Sequence, residues 1–350
     1  MIERHSPRKV VALTDGDVAS LEISASGGAF AVLAREVLRR GGVVFGAALA
    51  EDGSVRHVSV ESIDELHRLQ GSKYAQGHVG GTFAECIKVL GQGREVLYSG
   101  LPCQIHGLRA RVESSGLEHE QKERLLTCDL ICHGTPSRKL FAVYLDWLAD
   151  RHGADDGIHG FRFRTKEFGW GLYRYYYYYY RDGVLHEVSG GAGDDPYYHA
   201  FSRGVIYRKG CYKCPFCTTE RVGDITIGDF WGVRKRMPGA YDPRGVSAVL
   251  LNTPKAVRFF EDRIADSGVC SWSDARLDDV VAEQVNLRHP TRRSAEDERV
   301  AARIERALEA GDYGEVFERL LPVDQGRNAK IRRALPKSVL RLLYGLRNGR

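Results

Sequence analysis

The 350-residue chain has no run of about 18 apolar residues, so no membrane-spanning helix is expected. Its opening stretch, Met1-Ile-Glu-Arg-His-Ser-Pro-Arg-Lys9, has no apolar core of a secretory signal, and a cytoplasmic location is the expectation. In reducing surroundings its eight cysteines are expected as thiols serving a metal or catalysis, and not as disulfides. No internal repeat occurs. Acidic residues are missing from 327–350, where eight basic ones stand (Arg327, Lys330, Arg332, Arg333, Lys337, Arg341, Arg347 and Arg350). Without them the 51 Lys+Arg fall to 43 against 46 Asp+Glu, so the rest of the chain is slightly acidic. A protein that grips nucleic acid spreads positive charge over a whole face, so nucleic acid is not an expected partner. The basic tail is a separate local feature.

What is present reads as an ordinary globular chain, 43% hydrophobic and 28% charged, long enough for one large or two modest domains. The first half alternates helix and strand. Ser26 is placed to cap a helix whose Phe30, Leu33, Val37 and Leu38 share one face, ended by Gly41-Gly42. Gly42–Leu49, Arg94–Ser99 and Leu125–Cys132 read as buried strands, and a helix is expected over Thr82–Leu90. Another helix follows the loop Gly100-Leu-Pro-Cys103, and Pro136 suits the first turn of one running to about Arg151. This alternation predicts an α/β layer with a largely parallel sheet flanked by helices. Farther on the texture turns β-rich. Tyr173–Tyr180 holds seven of the seventeen tyrosines, and Asp182-Gly183 is a hairpin signal before Val184–Val188. The fold class expected is therefore α/β with a mixed sheet, a β-rich second half and C-terminal helices. Three units are drawn: 1–155, a flavin-type α/β domain; 156–290, β-rich with a cysteine loop; and 291–350, helical with a basic tail.

The strongest local signal is Cys211-Tyr-Lys-Cys214-Pro-Phe-Cys217. Three thiolates so spaced can grip one metal centre, but a bacterial ferredoxin run would continue with a fourth cysteine followed by proline. Here Thr218-Thr-Glu-Arg221 follows, so a fourth ligand must come from elsewhere in the fold. Cys103 and Cys132 both follow strands, where open α/β sheets build their ligand sites. Cys86, Cys128 and Cys270 read as core. Spacing alone admits an iron–sulfur cluster, a structural zinc or thiols without metal.

Assembled, these residues resemble the beta-subunit family of coenzyme F-420 hydrogenases and dehydrogenases, which includes a chlorophyll-pathway reductase and bacterial members linked to polysaccharide gene clusters. The matching stretches are Ser26–Phe30, Gly41–Gly46, Gly71–Tyr74, Ser99–Gln104, Asp129–Gly134, Phe161–Arg164 with Gly169-Trp170, Cys211–Cys214 and Asp224–Gly232, in the family's order. The resemblance implies an iron–sulfur flavoprotein oxidoreductase, with FAD beside one 4Fe-4S cluster, exchanging electrons with coenzyme F-420 or a similar hydride carrier. It matches the cluster ligands to Cys103, Cys132, Cys211 and Cys214, with Cys217 in reserve. Many bacterial relatives carry a ferredoxin-like segment before the Ser-Gly-Gly motif, whereas residues 1–25 here hold no cysteine. One cluster is thus expected, supplied by a separate redox partner protein or a soluble carrier. Leu101 stands where the family has threonine.

No GxGxxG follows the first strand, so a Rossmann site is not supported. Ser26, Gly27 and Gly28 at a helix start instead offer N–H groups to a phosphate or a flavin carbonyl. Ser72, Lys73 and Tyr74, with Pro102 and Gln104, complete the expected cofactor contacts, Lys73 lying near the flavin pyrimidine edge. His106 and His133 adjoin the two strand-end cysteines and are the candidate proton shuttles. Two other readings stand beside the enzyme: a non-catalytic electron-transfer or assembly subunit, and a zinc-stapled binding module. The segment 335–347 has an amphipathic pattern that suits docking on a partner or peripherally on the inner face of a membrane.

Overall fold

Short runs of aliphatic and aromatic residues, broken by glycine and polar turns, give this chain its eleven described strands. They are β1 (Lys9–Asp15), β2 (Val43–Leu49), β3 (Val55–Val60), β4 (Val96–Gly100), β5 (Leu125–Leu130), β6 (His159–Arg162), β7 (Arg174–Arg181), β8 (Val184–Gly191), β9 (Ile225–Asp229), β10 (Ser247–Leu251) and β11 (Cys270–Asp274). The computed structural model describes residues 3–321 together with 323, 335 and 339, so the expected docking segment 335–347 falls almost wholly outside the described residues. Among the described residues no helix is long and apolar enough to cross a membrane.

Eight strands form one sheet in the order β11-β1-β10-β9-β5-β4-β2-β3, and β6-β7-β8 form a second. Only β2–β4, β4–β5 and β5–β9 pair in parallel. The sheet is mixed, as the expected fold class has it, and the largely parallel layer expected from the first half narrows to β2, β4 and β5, with β3 antiparallel at the edge. β2, β4 and β5 pair in parallel along the first half of the chain and β9 joins β5 after the second sheet has intervened, whereas β1 pairs antiparallel with β10 and β11 across more than two hundred residues of chain. Strands from both sides of residue 155 share this sheet, so the boundary drawn there does not divide it.

Helices cover both faces. Ala29–Arg39 buries Val32, Leu33 and Val37 against Val11, Leu13, Val44 and Leu97, joined by Phe259 and Phe260 of the helix Pro254–Phe260. Each such side chain contributes about 1.5–3 kcal/mol when fully buried. On the opposite face Thr82–Gly91 and Pro102–Glu113 pack on Phe45, Tyr98 and Leu125. The second sheet turns alternate tyrosines of β7 inward: Tyr175, Tyr177 and Tyr179 join Phe141, Tyr144 and Tyr197 in a separate core. Its hairpin turns at Asp182 (φ 52°) and Gly183 (φ 70°), both left-handed, as a two-residue turn between twisted strands requires.

Two helix starts differ from expectation. Ser26 does not cap Ala29–Arg39, because its hydroxyl donates to the Val246 carbonyl (2.9 Å) and Gly28, at φ 79°, holds the cap position. Pro136 lies ahead of the helix Arg138–His152, which Ser137 caps by accepting from the Leu140 N–H.

Candidate functional site

The C-terminal ends of β2, β4, β5 and β9 open toward one side of the sheet, and there the chain encloses a cavity of about 430 Å³. Its size suits a small-molecule or cofactor pocket. Ser26, Gly28, Ser72, Lys73, Tyr74, Gln104, Cys132 and His133 all line it. Gly27 and Pro102 do not. The half-buried Lys73 ammonium donates to the Gln70 carbonyl at 2.7 Å and the Arg68 carbonyl at 3.4 Å, which pins its own loop and leaves one N–H toward the cavity. Enclosure by protein pulls its pKa down to about 7.

Gly27 supports the site from behind. A Cβ there would lie 2.2 Å from the Leu13 carbonyl oxygen and 2.4 Å from the Ser247 nitrogen, both backbone atoms of neighbouring strands. Gly27→Ala is therefore expected to cost about 3 kcal/mol, the upper part of the overpacking range, and urea unfolding would measure it. Lys166 holds the same loop from the other side, donating to the carbonyls of Leu21 (2.5 Å) and Ser26 (2.7 Å). Burial lowers its pKa to about 8.

A second, smaller cavity of about 40 Å³ is lined by all five cysteines of interest: Cys103, Cys132, Cys211, Cys214 and Cys217. Cys103 sits in the first turn of Pro102–Glu113, where Gln104 Oε1 accepts from the Leu101 N–H at 2.9 Å. Cys132 lies two residues beyond β5. Gly134 (φ 126°) lets the chain pass beneath Tyr207, whose ring would stand 2.3 Å from any Cβ there. The remaining three cysteines come from the loop that Arg221 secures. Nothing local in the sequence marks this arginine as buried. It donates to the carbonyls of Phe216 (3.0 Å) and Thr218 (3.0 Å) on either side of Cys217, and to Asp129 Oδ1 (2.9 Å) on β5. Arg4 adds a bond to the Pro215 carbonyl at 3.0 Å.

The thiols influence one another. Burial, and then the charges of Cys211, Cys103 and Cys214, push Cys132 up to about 12, against the Gly134 backbone. Burial followed by Cys214 and Cys211 raises Cys103. A hydrogen bond from Cys217 lowers Cys214 to about 6 and raises Cys217 in turn. Such a set ionises together only around a cationic centre, which is the donor chemistry of a thiolate metal site. Among the described residues no three Cys, His, Asp or Glu side chains form a group able to hold a metal ion as they stand. Cys86 and Cys128 are buried in the core, as expected.

The two cavities share a wall. Leu101, Cys132, His133, Gly134 and Thr135 line both. His133 thus opens on each of them, and the protein around its ring lowers its pKa. His106 lines neither cavity; its ring lies 5.5 Å from that of Phe216, and its Nδ1 is buried without a hydrogen-bond partner. Behind Asp229, which lines the large cavity, a polar and aromatic cluster joins several of the matched stretches. Arg164 Nη1 donates to Asp229 Oδ2 (2.7 Å), Trp170 Nε1 donates to Asp229 Oδ1 (2.7 Å), and Trp170 stacks on Trp231 at 4.8 Å. Gln284, beyond any matched stretch, donates to the Asp229 carbonyl at 2.7 Å.

Residues 93–275 match the family model for the C terminus of the coenzyme F-420 hydrogenase/dehydrogenase beta subunit. Among solved structures, a chain of the F-420-reducing NiFe hydrogenase complex from Methanosarcina barkeri is similar, with a TM-score of 0.53 at 17% identity. The likeness covers 87% of this chain and 96% of that one, and at this identity it shows a shared fold. No match was found among curated proteins.

Proposed function

Because this chain belongs to the coenzyme F-420 hydrogenase/dehydrogenase beta-subunit family, we propose that it is an oxidoreductase that holds FAD in the larger cavity and one 4Fe-4S cluster at the five cysteines. The observation that carries this reading is the shared wall: a pocket of cofactor size and a thiol-lined cavity meet at Leu101 and Cys132–Thr135. Adjacent cofactors exchange electrons without a protein relay. A flavin there would couple two-electron hydride chemistry to the single-electron steps of a cluster.

The chain's own residues have definite tasks. Ser26 and Gly28 present the start of the helix Ala29–Arg39, whose first-turn N–H groups suit a phosphate or a ring carbonyl. Gly27 keeps the strands behind them in contact. Ser72, Lys73 and Tyr74 close the opposite wall, where the third N–H of Lys73 places positive charge beside a ring that gains electrons. Pro102 and Gln104 fix the turn that presents Cys103. Cys103, Cys132, Cys211 and Cys214 would ligate the cluster, with Cys217 in reserve. His133, open to both cavities, is placed to take up or release the proton that accompanies reduction. A lone zinc would need its sulfurs within about 2.3 Å of one point, whereas a cluster reaches thiols spread around a cavity.

Protein purified without oxygen is expected to be brown, to release FAD on denaturation and to contain iron and acid-labile sulfide in equal amounts. Colourless protein carrying stoichiometric zinc would defeat the proposal. Turnover of a reduced hydride carrier with an artificial acceptor by the isolated chain separates an enzyme from a subunit that only relays electrons.

A further inference from the structure

Tyr173 is the one tyrosine of the 173–180 run that lines the large cavity, and it remains 38% exposed there. Behind it lies a cation. The Arg164 guanidinium carbon stands 4.8 Å from the Tyr173 ring centroid and 5.5 Å from that of Trp231. Arg164 is itself buried and held by Asp229 and by the Trp170 carbonyl (3.1 Å), and neither Arg164 nor Trp231 lines the cavity. Tyr173 therefore covers the cation and turns its remaining surface to the cavity. Its ring is braced edge-on by Tyr198 at 6.3 Å and by the tilted ring of Trp231 at 5.7 Å. An aromatic ring so fixed, at a concave and solvent-connected edge, offers a flat contact at little entropic cost.

We propose that Tyr173 is the stacking platform for the planar heteroaromatic ring of the exchanging hydride carrier, and so a specificity-determining residue distinct from the contacts that hold the resident flavin. The inference rests on the redox reading above. Position decides between the two ligands. Gly28 and Ser99 in the cavity wall are buried, as the walls around a resident group should be, whereas Tyr173 is exposed to solvent, on the side by which a carrier must come and go. The guanidinium behind the ring draws its electron density inward, which favours an electron-rich ring, such as that of a reduced carrier, on the outer face.

The test is a titration of the full chain with NADPH and, separately, with coenzyme F-420, followed by tryptophan fluorescence, since Trp231 and Trp170 adjoin the platform. At least one probe is expected to bind saturably. Tyr173→Leu should weaken that binding about tenfold, the scale of one lost ring stack, while Tyr173→Phe stays close to the parent. Flavin content, measured on the same samples, should not change in either variant. The probe that responds identifies the carrier. The inference is overturned if neither probe binds the parent chain, if Tyr173→Leu binds as tightly as the parent, or if Tyr173→Leu loses its flavin. A parent chain with no flavin or iron would overturn the broader redox reading, whatever the titration gives.

Discussion

Arg221→Met is expected to lower unfolding free energy by about 3–5 kcal/mol, because it leaves a buried carboxylate without its countercharge. Arg221 is 2% exposed, and its guanidinium bonds are all spoken for. It donates to Thr226 Oγ1 (3.2 Å), the carbonyls of Phe216 and Thr218 (3.0 Å each), Asp129 Oδ1 (2.9 Å) and the Leu130 carbonyl (3.0 Å). Asp129, fully buried, would keep only the Thr226 hydroxyl (2.6 Å) and the Gly223 N–H (2.9 Å). Methionine matches the length of the stem but donates nothing, so three backbone carbonyls lose partners as well. Urea unfolding measures the loss; a change below about 1 kcal/mol, the scale of an exposed pair, would show the ion pair to be dispensable. Adding Asp129→Leu should recover part of the stability, since replacing both members of a buried pair by apolar groups is often nearly neutral. It should not restore the cysteine loop, whose carbonyls at 216 and 218 remain untied.

Cys132→Ser is expected to abolish the iron content and the brown absorption of anaerobically purified protein, leaving only the yellow of bound flavin, while the chain still folds. Cys132 lines both cavities and follows the strand end that Arg221 ties down at Asp129 and Leu130, so its loss removes the thiol on the wall the two cavities share. Cys103→Ser should act similarly. Cys217→Ser is expected to retain iron, and Cys86→Ser, buried in the helix Thr82–Gly91 and lining neither cavity, serves as the unaffected control. Iron analysis and the visible spectrum read all four. Loss of iron in Cys217→Ser with retention in Cys103→Ser would exchange those two ligands.

Much of this architecture was legible in the sequence where the determinants are local. The apolar run 42–49 gave a strand almost as drawn, and Asp182-Gly183 turned the tyrosine hairpin because the twist there demands left-handed residues. The assembly of Cys103 and Cys132 with the loop 211–217 was also foreseeable, since both follow strands that end on one side of the sheet. What escaped was long-range. Ser26 looks like a helix cap until the Val246 carbonyl, brought over by β10, claims its hydroxyl. Arg221, in a polar stretch that reads as surface, is buried only because Asp129 waits on β5. His106 seemed as well placed as His133, but a helix turn carries it away from both cavities. Gln284 had no signal at all, since its task is to hold a main-chain carbonyl.

The place of β1, between two strands from the far end of the chain, has a consequence for how the protein is made. Its two neighbours in the sheet, β10 and β11, lie more than 230 residues downstream. At about 5–20 residues per second, a ribosome takes on the order of tens of seconds to deliver them. Throughout that time Val10–Leu13, an apolar strand buried on both faces in the finished molecule, has no partner of its own. β2, β4 and β5 can assemble while synthesis continues, but the sheet cannot be completed until β10 and then β11, ending at Asp274, have emerged. Non-local pairing of this kind slows folding and lengthens the period of exposure to aggregation. A nascent chain stalled before residue 247 should therefore be a substrate for chaperones that hold extended apolar segments, and one stalled after residue 274 should not.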